Sequence, residues 1–344
     1  MSEKIFYEIP DEVEIRYLDR SKASESGVVK LLKLPFLALK YKKMLDSDVS
    51  VSFMNRPNYI NVLAKLFGYK GKVVISERIT PSMEYKTNSL KNIVNKFLIK
   101  ILYKKADLLL PNSKYIAYDL STFFNIPDNK IKTIYNLLSF EICNKSKNKE
   151  KNKSKTKRRF TFINIARLEN QKNHLLLLKA FKKARLDANL WIVGDGSLRE
   201  KIKKEIKNLN LEKKITLFGT QKNVCYFLTL SDCFVFSSNH EGFPNVLLEA
   251  LACGLPVIST DCRSGPREIL APDTDFKKEA KGIEFAKYGI LTPVGDEEKM
   301  AEAMRIIYEN RELRESYAKK AKERAKDFRV EKIIREWEDV LSNI

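Results

Sequence analysis

Two hydrophobic patterns alternate along the chain. Short apolar-rich runs read as strands buried in a sheet, and longer stretches with apolar residues three and four apart read as amphipathic helices. In the first half the strand candidates are residues 13–18, 49–53, 72–76, 107–111 and 131–135; in the second they are 160–166, 190–193, 215–218, 233–238 and 255–260. Helical stretches separate them, and such alternation builds parallel sheets covered on both faces. The pattern occurs twice, on either side of NKSKNKEKNKSKTKRR. This run, residues 144–159, has no apolar residue and reads as a basic, solvated linker. The expected architecture is α/β: two doubly wound, Rossmann-like domains over 1–143 and 160–328, and a C-terminal helix over 329–344 that crosses back to the first domain. Ligands of open α/β sheets bind beyond the carboxyl ends of the strands, so two such domains facing each other enclose one cleft.

Candidate chemistry gathers at those carboxyl ends. In NHEGFPNVLLEALACGLPVIST, residues 239–260, a helix is expected to start near Asn245. Pro244 suits its first turn, where a missing N–H costs nothing, and Gly242 lets the backbone approach a ligand closely. Gly254 suits a left-handed cap at the far end, and the next strand follows directly. The helix start offers the N–H groups of Asn245, Val246 and Leu247 at a positive dipole end, which favours phosphate. Glu241 precedes that site and Glu249 lies one turn inside the helix. Carboxylates accept hydrogen bonds from hydroxyls, so two of them flanking an anion site suggest sugar, diphosphate and ribose: a nucleotide sugar. ARLENQKN places Arg167 and Lys172 across one turn, where both can reach a diphosphate. VGDGSLRE supplies Gly194 and Gly196 for a tight turn near a ligand, and LFG ends a strand at Phe218 and Gly219, where backbone groups can meet a base. Each feature alone is ordinary, but their order along one domain is more specific than any single match.

As a set, these four segments resemble the nucleotide-sugar half of family 4 retaining glycosyltransferases (glycosyl transferases group 1), which have the GT-B fold of two facing Rossmann-like domains. The resemblance is strong over about residues 160–330, and VVISER, DLLLPNSKY and IKTIYN keep the family's order in the first half. It implies that Glu241 contacts donor-sugar hydroxyls and Glu249 the ribose. By the same resemblance Arg167 and Lys172 neutralise the diphosphate, helped by backbone N–H groups from Phe243 to Val246. Retention of anomeric configuration is implied, with no required metal, because the two cations stand in for a divalent ion as charge grows on the leaving group. The resemblance further implies a UDP-linked donor and points to bacterial enzymes of surface-glycan assembly that add N-acetylhexosamines. Family members usually open with a strand and a Gly-rich loop. Neither is recognisable before Val13, so the N-terminal domain is expected to lack them; a homologue that binds nucleotide sugar or a partner chain without turnover is therefore the alternative. Arg78 in ISER stands where many relatives have His, and Glu77 and Arg78 at this strand end are either site residues or a local ion pair.

Charge bears on the acceptor. Lys and Arg number 64 against 44 Asp and Glu, a net charge of +20, which favours anionic partners. The basic linker carries no interleaved aromatics, so nucleic acid is not expected. SLKNIVNKFLIKILYKKAD, residues 89–107, sets Ile93, Val94, Phe97, Leu98, Ile101 and Leu102 beside Lys91, Lys96, Lys100, Lys104 and Lys105, and residues 28–45 are similar but interrupted at Pro35. Helices of this type lie on an anionic membrane or pack on a core with lysine stems along it. Together with the family resemblance, they suggest a lipid-linked glycan or lipopolysaccharide acceptor. No apolar run reaches the length of a membrane span and no signal peptide is recognisable, so the expected location is cytoplasmic, peripheral on the inner face of the plasma membrane. Cys143, Cys225, Cys233, Cys253 and Cys262 form no C-x-x-C pair and read as buried thiols. With two histidines, a zinc centre is not expected.

Overall fold

The computed structural model describes residues 9–19, 26–138 and 159–344. Cys143 and the linker, except for Arg159, lie outside them. The first domain has three parallel strands in the order β1 (Val49–Phe53), β2 (Lys72–Ser76) and β3 (Leu108–Leu109). Residues 131–135, expected as a strand, make only a single bridge, Ile131 to Leu109. Residues 13–18 form no strand. Their alternating pattern finds no backbone to pair with, and Val13, Ile15 and Tyr17 remain exposed. Side chains tether the segment instead, through Lys40 donating to the Leu18 carbonyl and Arg56 paired with Asp19. Residues 28–45 make two helices, Gly27–Leu32 and Leu34–Met44, with Pro35 in the first turn of the second, where its lack of an N–H costs nothing.

The second domain holds β4 (Phe160–Ile165), β5 (Ala188–Val193), β6 (Ile215–Gly219), β7 (Cys233–Phe236), β8 (Val257–Thr260), β9 (Glu284–Ala286) and β10 (Gly289–Thr292) in the order β6-β5-β4-β7-β8-β10-β9. All neighbours are parallel except β9 and β10, a short hairpin that the hydrophobic pattern did not reveal. The chain runs outward from β4 through β5 to β6 and then returns to place β7 on the other side of β4. The strand order therefore reverses between β4 and β7, where a doubly wound sheet opens its crevice. Leu177, Phe181, Met300 and Met304 cover one face and Leu247, Leu251, Ala321 and Phe328 the other. Each large side chain buried this way contributes about 1.5–3 kcal/mol.

Helix Val330–Ser342 seats Ile333 and Val340 on Val74, Leu110 and Ile134 of the first domain, and Trp337 meets Phe53 at 5.9 Å. The chain thus crosses back and ties the two domains together. Among the described residues, no helix is long and apolar enough to cross a membrane.

Candidate active site

A cleft of about 530 Å³ opens at the β4/β7 reversal. Its walls come from both domains: Arg167, Lys172 and residues 241–246 on one side, Arg78, Asn112 and Asn136 on the other. Two glycines build the Arg167 wall. A Cβ at Gly194, where φ is +136°, would lie 2.0 Å from the Ala166 carbonyl oxygen, and one at Gly196 would lie 2.7 Å from that of Leu168. The loop after β5 therefore packs directly on the loop after β4, with the N–H groups of Ala166 and Leu168 donating to Val193 and Asp195. Arg167, between these anchored residues, is exposed at the cleft. The close approach expected at both glycines is made to the chain's own backbone.

Lys172 ends a short 3-10 turn closed by Asn173 in the left-handed region, at φ 44°. Gln171 donates to the His240 carbonyl and Asn239 N–H to that of Gln171, so the β4 and β7 loops are fastened to each other. This brings the Lys172 ammonium to 2.5 Å from the Glu241 carboxylate, with both side chains largely buried. An ammonium has three donors, so Lys172 keeps capacity for a phosphate oxygen while holding Glu241.

Helix Asn245–Ala252 forms as its sequence indicates, with Gly254 at φ +74° just past its end. Pro244 is the residue before the helix, in extended conformation, and not part of its first turn. Leu247 N–H donates to the Pro244 carbonyl, which leaves the first two N–H groups, those of Asn245 and Val246, at the cleft. Glu249 follows one turn later on the same helix face as Asn245, half-buried and beyond the cleft lining. Gly242 serves the interface between domains: a Cβ there would lie 1.9 Å from the Arg78 carbonyl oxygen. Phe218 packs on Trp191 and Phe227, and its carbonyl accepts from Gln221. The Gly219 carbonyl accepts from Gly194, and the pair lies two strands from the reversal.

Glu77 and Arg78 diverge and do not pair. The Glu77 carboxylate turns into the first domain, accepting from the Tyr103 hydroxyl at 2.7 Å and from Arg78 N–H at 2.9 Å, and burial pushes its carboxyl up to about 7. The Arg78 guanidinium lies 4.8 Å over the Phe53 ring and donates to Asn136 Oδ1 at the cleft; burial lowers its pKa to about 10.

Three residues at this junction were not singled out from sequence. Asn136 donates across the domains to the Phe243 carbonyl at 2.9 Å and to Asn245 Oδ1 at 2.7 Å. Asn112 is buried, with an Oδ1 that has no hydrogen-bond partner among the described residues. Glu268 accepts from Lys114 N–H at 2.7 Å, Tyr115 N–H at 3.1 Å and the Tyr135 hydroxyl at 3.1 Å. The available signal was weak: Asn112 and Asn136 are polar residues just past strand-like segments, in PNSKY and IKTIYN.

With this geometry in place, comparison with known proteins is decisive. Residues 144–324 match the family described as Glycosyl transferases group 1. The chain belongs to that family. Over 339 residues it is 41% identical to the N-acetylgalactosamine-N,N'-diacetylbacillosaminyl-diphospho-undecaprenol 4-alpha-N-acetylgalactosaminyltransferase of Campylobacter jejuni, covering 98% of this chain and 88% of the relative. A second Campylobacter jejuni relative is 26% identical over 349 residues, covering 98% of this chain and 87% of the relative. That enzyme is a GalNAc-alpha-(1->4)-GalNAc-alpha-(1->3)-diNAcBac-PP-undecaprenol alpha-1,4-N-acetyl-D-galactosaminyltransferase. The structure superposes on the crystal structure of Anabaena HepE in complex with UDP with a TM-score of 0.74. That likeness covers 90% of this chain and 82% of the other at 19% identity, which places the fold among GT-B proteins. In this group 1 glycosyltransferase, two cations and a helix start line a cleft beside a carboxylate, an arrangement suited to stabilising negative charge on a leaving group.

Proposed function

We propose that this glycosyltransferase moves an N-acetylhexosamine from a UDP-linked donor to a lipid-linked or lipopolysaccharide glycan, with retention of configuration. The observation that carries the reading is the buried Lys172–Glu241 pair beside the Asn245 helix start, at the strand reversal and opposite the other domain. Lys172, Arg167 and the N–H groups of Asn245 and Val246 would take the charge that grows on the departing diphosphate, so the reaction needs no metal. Glu241 would accept hydrogen bonds from donor-sugar hydroxyls and Glu249 from the ribose. Gly194, Gly196 and Gly242 would shape the walls, Phe218 and Gly219 the far side near the base, and Arg78 the acceptor side, with Glu77 supporting it from behind. The domain over 160–328 would hold the donor and that over 1–143 the acceptor, with 144–159 as linker and 329–344 as the tie between them. The acceptor class is supported by the two Campylobacter jejuni relatives, whose substrates are diphospho-undecaprenol glycans. UDP is supported by its presence in the HepE complex. Such an acceptor would hold the protein at the inner face of the plasma membrane, against an anionic surface.

The test is transfer of label from UDP-N-acetylgalactosamine and UDP-N-acetylglucosamine to an undecaprenyl-diphosphate glycan in detergent, with NMR of the new anomeric centre. An axial product from an axial donor is the expected result. UDP binding without transfer to any acceptor tested would instead favour a homologue that binds donor without turnover.

A further inference from the structure

Away from the cleft, helices Gly27–Leu32 and Leu90–Leu102 flank an apolar groove of about 550 Å³, walled by Val28, Leu31, Leu32, Leu90, Val94 and Leu98, with Lys91 at its side. The groove continues onto exposed apolar surface. Leu32 and Leu90 are each 76% exposed and Phe36 is 72% exposed, and Ile93, Phe97 and Ile101 extend the Leu90 face along its helix. Soluble proteins rarely leave so much apolar surface uncovered without a partner for it. Residues 26–45 and 89–105 carry ten lysines and no Asp or Glu. A second copy of this face would oppose like charges, Lys91 at the groove and Lys96 and Lys100 beside Phe97 on the same helix, which charge repulsion disfavours. A surface that is apolar below and anionic above complements it: phosphate head groups meet the lysines and hydrocarbon fills the groove.

Topology gives the groove a direction. Helix Leu90–Leu102 leaves the carboxyl end of β2, and the helices preceding β1 start at the same edge; a Cβ at Gly27 would lie 3.7 Å from the Lys91 side chain, so the two helix starts abut. Arg78, just past β2, lies on the cleft at that edge.

We infer that the groove between helices Gly27–Leu32 and Leu90–Leu102 takes up an acyl chain from an anionic phospholipid leaflet and so holds the cleft edge at the membrane surface. Its role in delivering substrate rests on the lipid-linked acceptor proposed above.

The experiment is co-sedimentation of the full chain with vesicles of phosphatidylcholine alone or mixed with phosphatidylglycerol. It is paired with quenching of an indole introduced by Leu32→Trp, using phosphatidylcholine brominated on its acyl chains and the unchanged chain as the background for Trp191 and Trp337. Binding should require phosphatidylglycerol, fall about fivefold for each of Lys91→Ala, Lys96→Ala and Lys100→Ala, and fall about tenfold or more for Leu32→Glu, the cost of burying a charge in hydrocarbon. The new indole should be quenched. Leu32 is mostly exposed, so these substitutions leave the fold intact, which an unchanged melting temperature checks. Equal binding to both vesicle types, or an unquenched indole, would overturn the inference, as would self-association without vesicles that Leu32→Glu abolishes. The detergent transfer assay separates the two proposals: transfer without vesicle binding removes the groove inference alone, whereas vesicle binding without transfer supports it and removes the acceptor reading.

Discussion

At the scale of single residues, the cleft turns on a few charged groups whose positions are unusually constrained. Lys172 is held from three sides, by its turn, by Glu241 and by the Phe236 ring at 5.7 Å. On the proposed reaction, Lys172→Ala removes a donor that would matter most as the diphosphate leaves, so kcat should fall about 10²–10³-fold with UDP affinity changed much less. Equal losses in kcat/KM and in UDP binding would show a ground-state role only. Glu249→Ala tests the ribose contact proposed for it: isothermal calorimetry should show UDP binding weakened by about 1.5–3 kcal/mol, the range for hydrogen bonds to a charged group, and unchanged affinity would remove that role. The types and order of these residues were legible because a carboxylate, two cations and a helix start have few joint explanations. Asn136 was not legible, since its bonds to Phe243 and Asn245 join residues more than a hundred positions apart and no local pattern encodes them.

At the scale of elements, helix His174–Ala184 carries the Lys172 loop, and its first residue is a liability. His174 is buried with both ring nitrogens lacking hydrogen-bond partners among the described residues, and burial lowers its pKa to about 4. Its folded pKa lies below the unfolded value, so the neutral ring's contribution is fully present above about pH 6.5 and is lost as pH falls towards 4, by about 3 kcal/mol. His174→Leu, which keeps the apolar contact without an ionisable group, should flatten stability over that window in denaturant titrations at several pH values. An unaltered pH profile would mean that His174 is not the titrating group. The helices and most strands were readable because their apolar spacing is local. Residues 13–18 show the limit: alternation predicts a strand only where another strand offers its N–H and C=O groups.

At the scale of the whole molecule, the two domains are locked across the cleft. Glu268, in the second domain, accepts the first N–H groups of helix Lys114–Phe124 in the first, and Ser113 and Ser264 hydroxyls meet beside it at 3.0 Å. The contact joins a carboxylate to a positive helix end. Glu268→Ala leaves those N–H groups, the buried one of Tyr115 included, without their acceptor, so the domains should separate more readily. Small-angle scattering should report a larger radius of gyration, with kcat/KM lowered although no cleft residue has changed; an unchanged scattering profile would count against the lock.

Periodicity, turn chemistry and motif order were enough to determine two α/β domains, the polarity of most of their strands and several of the segments that meet at the cleft, because each depends on contacts a few residues apart. Tertiary structure alone decided that the Gly242 backbone touches Arg78, that Glu77 turns inward while Arg78 faces the cleft, and that Glu268 caps a helix of the other domain. Those outcomes depend on which surfaces are pressed together and stripped of water, a property of the assembled chain that no local stretch of residues contains.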